Sequence, residues 1–140
     1  MTDFDRSITF ILKWEGDLTS DTGGLTRWGI SQKSYPDLDI ANLTLEEAKA
    51  IYKKDYWDAM KCDTFMFPEC MVIFDSAVNC GVTRTKLWLA ESEQNGGWRN
   101  ILLLRIQHYT FLAQKPKYQP YFRGWMNRTM DLYKTVNDNV

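Results

Sequence analysis

Cysteine is scarce and odd in number. Cys62, Cys70 and Cys80 show no CxxC spacing, which argues against a disulfide framework and against a thiolate zinc site, and leaves reduced, mostly buried thiols as the expectation. Histidine is scarcer still: His108 stands alone among apolar residues in a helical stretch, where it reads as structural, and no residue cluster asks for a metal or any other cofactor. No apolar run is long enough to span a bilayer, and the opening MTDFDRSITFILKWEG carries acidic residues where a signal peptide carries basic ones. The expectation is a chain made in the cytoplasm without a signal peptide and without stable membrane insertion, one that needs a separate release system if its substrate lies beyond the membrane. A charge excess of one sign is also missing. The formal net charge of -1 provides no basic stripe for nucleic acid.

Aromatic residues, by contrast, are plentiful. Six Trp, seven Tyr and seven Phe exceed what an ordinary core needs, and rings with a polar edge suit carbohydrate as well as packing. At 140 residues the chain fits a single domain, 1–140, whose core buries roughly 70% of the surface that the unfolded chain exposes, and a monomer is expected. Charge is divided unevenly along it. Residues 1–70 hold 8 Lys+Arg against 13 Asp+Glu, and residues 71–140 hold 9 against 5, so the second half can meet an anionic polymer or can pair locally.

Helical periodicity dominates the pattern. Thr2 or Asp3 can cap a helix whose apolar residues Phe4, Ile8, Ile11 and Leu12 form one stripe, with Gly16 as its stop. Residues 16–31 are rich in turn signals, followed by alternation through Leu25-Thr26-Arg27-Trp28-Gly29-Ile30, the pattern of a loop with a short hairpin. Thr44-Leu45-Glu46-Glu47 is a capping-box signature for a helix running toward Tyr56 and Trp57. Pro68 suits a first helical turn, and Met71 to Val78 is apolar nearly all round, predicting a central buried helix closed by Gly81. Further helices carry Leu87 and Ala90, then Ile101 to Ala113 ahead of Pro116, then Trp125 to Val136, with Gly124-Trp125 read as the start of the last. The predicted fold class is all-α, or α+β at most: an orthogonal helical bundle with a small irregular or β lobe near residues 16–40 and a cleft between them.

Within this frame Glu15 stands out. It lies at i+4 from Ile11 and i+7 from Ile8, continuing the apolar stripe, and it occupies the last turn, so burial and the helix dipole would both favour a retained proton. Protonating a glycosidic oxygen needs such an acid. The alternative is a frayed, solvated Glu ahead of a glycine. Asp21 and Thr26, in and just after a glycine-rich turn, can complete a set for glycoside hydrolysis, which needs a second carboxylate as nucleophile or as base for water, or they can be turn and strand residues only. Asp75 and Asn79, at i and i+4 on the apolar helix, either line the cleft or form a buried hydrogen-bonded pair. Trp28, Tyr35 and Trp57 are candidates for stacking on sugar faces, with core packing the rival reading. Arg128 reads as packing, an ion pair or a glycan contact.

Trp14-Glu15-Gly16, followed by Asp21-Thr22-Gly23-Gly24 with Thr26 and Gly29-Ile30, resembles the N-terminal signature of glycoside hydrolase family 108, phage endolysins and bacterial N-acetylmuramidases with a lysozyme-like fold. The resemblance continues through Tyr56-Trp57-Asp58, Pro68, Phe74-Asp75-Ser76-Ala77-Val78-Asn79-Cys80-Gly81 and, at the end, Tyr118, Phe122 and Gly124-Trp125-Met126-Asn127-Arg128. It implies a peptidoglycan hydrolase, a lysozyme cleaving the β-1,4 bond between N-acetylmuramic acid and N-acetylglucosamine, with Glu15 as general acid and Asp21 and Thr26 positioning water. It implies glycan strands as partner, and host lysis by an endolysin that reaches the wall after a holin or another release system opens the way. The loop after Glu15 is shorter than the family's, which makes Asp17 a rival to Asp21 as second carboxylate, and Asn95-Gly96-Gly97-Trp98 matches the family's wall-binding signature poorly. A lytic transglycosylase and a non-catalytic wall-binding or virion structural module are the alternative functions.

Overall fold

The computed structural model describes residues 1–16, 18–21 and 24–139, with the side chain of Asp21 outside the described set. Helix α1 runs Asp3–Glu15. It begins there because the Thr2 hydroxyl accepts from the Asp5 N–H and the Asp5 carboxylate accepts from the Thr2 N–H, both at 3.0 Å, so two otherwise orphaned donors are satisfied together. Ile8, Phe10 and Ile11 bury its inner stripe. Gly16, at φ 71°, stops it and donates its N–H back to the Leu12 carbonyl at 3.1 Å, which leaves Glu15 as the last helical residue.

The region predicted as loop and hairpin is a three-stranded antiparallel sheet in the order β1 (Thr19–Asp21), β2 (Gly24–Arg27), β3 (Ile30–Ser31). Thr19 pairs with Thr26 and Asp21 with Gly24 in the first ribbon, and Arg27 pairs with Ile30 in the second. The second ribbon turns on two residues, Trp28 and Gly29, both at positive φ (54° and 82°), as a type I′ turn requires to match the strand twist. Glycine accepts this freely, whereas a tryptophan held there costs roughly 1–3 kcal/mol. After β3 the Gln32 side-chain amide donates to the carbonyls of Tyr35 (2.9 Å) and Leu38 (2.8 Å), lashing the following loop into shape.

Helix α2 (Leu45–Tyr52) starts on the predicted capping box, Thr44 with Glu47, and continues through a π-helical turn over Lys53–Asp58. Helices α3 (Glu69–Cys80), α4 (Val82–Ser92), α5 (Gly97–Leu112) and α6 (Gln119–Asn137) complete the bundle. As its composition predicts, α3 is central: every residue from Cys70 to Ala77 is buried, and α1, α4, α5 and α6 pack around it. The predicted class, helical with a small β lobe, is the one observed. One boundary differs. The last helix begins at Gln119, six residues before Trp125, because Pro120 occupies its first turn, where a missing N–H costs nothing, and Gly124 is accommodated inside the helix. Among the described residues no helix is long and apolar enough to cross a membrane.

Candidate active site

Glu15 stands where the bundle meets the sheet. Its side chain is 24% exposed, and its Oε1 accepts a 2.6 Å hydrogen bond from Nη1 of Arg128 on α6. On its other side lies the tip of the second hairpin. A Cβ built on Gly29 would fall 2.8 Å from Glu15 Oε2 and 2.9 Å from Glu15 Cβ, and closer still to the Tyr52 hydroxyl. Only glycine allows that approach, so Gly29 serves both the turn and the acid beside it. The Tyr52 hydroxyl, at the end of α2, donates to the Trp28 carbonyl at 2.7 Å and ties the tip down. Tyr52 is buried, and burial first, then the nearby Glu15 charge, push its phenol well above its ordinary value, so it stays a neutral donor.

Behind Glu15 the interior holds an alternating line of charges. Arg128 gives Nη2 and Nε to Asp75 Oδ1 at 2.7 and 3.2 Å, and Arg105 on α5 gives Nη1 to Asp75 Oδ2 at 2.8 Å. Arg105 also donates to the Ser76 hydroxyl (3.2 Å) and, through Nε, to the Tyr109 hydroxyl (2.9 Å). The side chains of Asp75 and Arg105 are 1% and 0% exposed. Burial by itself would push the Asp75 carboxyl up, but the Arg128 and Arg105 guanidiniums outweigh it and hold the group below the usual carboxylate range. Burial likewise works against the charge on Arg128, and Asp75 and Glu15 reverse that, keeping it firmly protonated. With Glu15 as its carboxylate, the line of Glu15, Arg128, Asp75 and Arg105 carries two charges of each sign; with Glu15 protonated, Arg128 still keeps Asp75, so burying the line is tolerable in either state.

Several residues nominated from the sequence fall into place around this centre. Thr26 is on β2, half-buried, opposite both Thr19 and Ser31. Trp28 is half-buried at the hairpin tip, with the Arg27 guanidinium 5.6 Å from its ring centroid and no hydrogen-bond partner for its Nε1 among the described residues. Tyr35 lies in the loop after β3, its hydroxyl bonded to Asp55 at 2.5 Å. Asn79 is half-buried, one turn beyond Asp75, and donates to the Tyr109 hydroxyl. Asp21 ends β1, with its side chain outside the described residues, and Asp17 is outside them altogether.

Two nominations need correction. Trp57 offers no face to a sugar: it is 1% exposed, set edge-on against Phe4 (5.4 Å) and Phe74 (5.1 Å), with its Nε1–H donated to Asp63 at 2.8 Å. Asp75 is not open to a ligand either, since it is fully buried and both its oxygens are consumed by guanidiniums beneath Glu15. Of the two readings for Arg128 beyond packing, the ion pair is the one realised. Arg105 and Tyr52 went unrecognised as site residues. The signal for Arg105 was its place on the apolar face of α5, four residues from both Ile101 and Tyr109, where a lone charge demands a buried partner. Among the described residues no group of three or more His, Cys, Asp or Glu is placed to hold a metal ion.

A partly exposed carboxyl group where the bundle meets the sheet, steadied by a cation and backed by glycine, is equipped for proton transfer to a bound ligand. Comparison with known proteins defines the ligand class. The family described as Glycosyl hydrolase 108 matches residues 8–81. The chain belongs to this family. As a family 108 glycosyl hydrolase it takes a glycan as substrate, and the matched span includes Glu15, Asp21, Thr26, Trp28, Tyr35 and Asn79 but neither Arg105 nor Arg128. The fold is similar to that in the solved structure titled "Structure of Brucella abortus SagA", with a TM-score of 0.79 over 96% of this chain and 94% of that one, at 17% sequence identity. A search of curated proteins finds no match.

Proposed function

We propose that this glycosyl hydrolase is a lysozyme-type N-acetylmuramidase: it hydrolyses peptidoglycan strands at the β-1,4 bond between N-acetylmuramic acid and N-acetylglucosamine, with Glu15 as general acid. The observation that carries the reading is the setting of Glu15 at the junction of α1 and the hairpin, with Oε1 taken by Arg128 and Oε2 turned toward Gly29. In the reaction Glu15 Oε2 hands its proton to the departing glycosidic oxygen as the C–O bond breaks. The carboxylate so formed meets Arg128 at 2.6 Å, and no charged group has to move to receive it.

Water attacks the anomeric carbon that the leaving oxygen vacates and gives a proton to the Asp21 carboxylate, and we assign its placement to Asp21 and Thr26. The register supports this pairing of roles. Thr19 pairs with Thr26 and Asp21 with Gly24, so Asp21 and Thr26 belong to one short β1–β2 ribbon. Trp28 and Tyr35 are assigned to the sugar faces and Asn79 to an acetamido group. The protein acts as a monomeric endolysin that reaches the wall through a separate release system.

Digestion of purified sacculi tests the reading. New reducing ends with intact muramic acid are expected from the wild type, and Glu15→Gln should lower the rate by at least about 100-fold while helicity is kept. Anhydromuramyl ends would replace hydrolysis by transglycosylation. Binding to sacculi with no release of ends at any enzyme concentration would leave a wall-binding module.

A further inference from the structure

With Trp57 in the core, the rings available to a glycan lie elsewhere, and the fold assembles a set of them at the start of α6. Tyr109, Trp125 and Tyr121 form a ladder of near-parallel rings: Tyr109 and Trp125 are stacked at 5.0 Å and 21°, Trp125 and Tyr121 at 6.0 Å and 25°. The ladder climbs from the interior to solvent, from Tyr109 at 2% exposure through the half-buried Trp125 to Tyr121 at 59%. Tyr118 leans on the same Trp125 at 6.1 Å, with the Lys117 ammonium 4.9 Å from its ring centroid.

The ladder is continuous with the proposed active site. Tyr121, Trp125 and Arg128 stand at i, i+4 and i+7, on one face of α6, and Arg128 holds Glu15. Its inner rung, Tyr109, accepts from Arg105 and from Asn79, the residue assigned to an acetamido group. Seven residues of helix rise about 10 Å, so a ring seated on Tyr121 lies beyond the sugars flanking the scissile bond. One face of a pyranose presents C–H groups and packs on an aromatic ring, while its rim of hydroxyls meets the phenol and the ammonium.

The geometry points to a remote glycan subsite on the outer face of Tyr121, backed by Trp125, that holds a sugar of the same strand whose cleavage is proposed for Glu15. The inference rests on that reading for its ligand and adds a site to it. Binding energy gained there grips long strands and is unavailable to short ones.

The test measures binding of N-acetylglucosamine oligomers, β-1,4-linked, from disaccharide to hexasaccharide, by calorimetry in a Glu15→Gln background, with and without Tyr121→Ala. Tyr121 is exposed, so its truncation leaves the core intact. The expected result is roughly tenfold weaker hexasaccharide binding, the size of one lost stacking contact of about 1.4 kcal/mol, with unchanged disaccharide binding and recovery in Tyr121→Trp. A purely structural i,i+4 ring pair would leave oligomer binding unaltered at every length. Equal affinities with and without Tyr121, equal losses for short and long oligomers, or no oligomer binding in the parent would each overturn the subsite. Should the wild type release no ends from sacculi while the length-dependent loss persists, the subsite stands and the hydrolytic reading falls.

Discussion

Replacing Asp75 by Asn removes one negative charge from the centre of the bundle and changes almost nothing in shape. Arg128 keeps Glu15 as partner, but Arg105, fully buried, is left with neutral acceptors alone, the Ser76 and Tyr109 hydroxyls and at most the one amide oxygen of the Asn. Stranding a buried charge in this way costs about 3–5 kcal/mol, a large share of the 5–15 kcal/mol typical of a whole domain. Unfolding 140 residues releases roughly 0.3 kcal/mol per degree, taken from about 2.1 cal/mol/K per residue. The melting midpoint followed by circular dichroism should therefore drop by about 10–17 °C. Acid dependence gives an independent check. The folded Asp75 titrates below its unfolded value of about 3.9, so its stabilisation is complete above that value and is lost as the pH falls through the lower folded one. Wild-type stability should fall across that strongly acid window, and the Asn variant should show a flatter acid limb. A midpoint shift under about 3 °C, or identical acid limbs, would show that the network does not carry the load placed on it here.

Two changes at the hairpin tip probe the other wall of the site. Gly29→Ala puts a methyl group against Glu15 Oε2 and the Tyr52 hydroxyl at a φ of +82°, and should cost about 1–3 kcal/mol along with most of the activity; near-normal turnover on sacculi would contradict the close approach. Tyr52→Phe removes the donor to the Trp28 carbonyl at a loss of about 1 kcal/mol, and should lower kcat more than it raises KM, because the tip is loosened around Glu15; an effect on KM alone would place Tyr52 in substrate binding.

What was legible in the sequence follows from how local each cause is. The cap at Thr2, one of two candidates, and the capping box of Thr44 with Glu47 both act over three residues, and a helix as uniformly apolar as α3 can only be central. The stripe Ile8, Ile11, Glu15 correctly turned the acid toward the bundle, but its partner lies 113 residues away on α6, and no period reports such a distance. Asp75 shows the limit more sharply. A polar stripe on an apolar helix is equally consistent with a cleft wall and with a buried ion pair, and the choice was made by Arg105, whose own place on a buried face was the overlooked clue. Trp57 was misplaced because a core and a sugar platform ask for the same flat ring. Gly124 reads as a boundary in the sequence because its permissiveness is visible there, while the helix it sits in starts earlier, at the turn that holds Pro120.

The family match ends at residue 81, yet the part of the candidate site that falls within it is not self-sufficient. Cut off there, the chain would keep Glu15, the hairpin and Asp75 and would lose Arg105 and Arg128, leaving two carboxylates facing one interior with no cation between them. Like charges in so little solvent repel strongly, and the central helix could hold Asp75 in place only by neutralising or unfolding. The second half of the chain therefore does more than extend the fold. Its net excess of cations is spent in part inside the protein, where α5 and α6 each contribute one arginine to Asp75, and α6 alone carries the contact onward to Glu15. A helix whose first turns carry Tyr121 and Trp125 and whose middle grips the acid couples the proposed grip on a strand to the proposed point of cleavage through one rigid element.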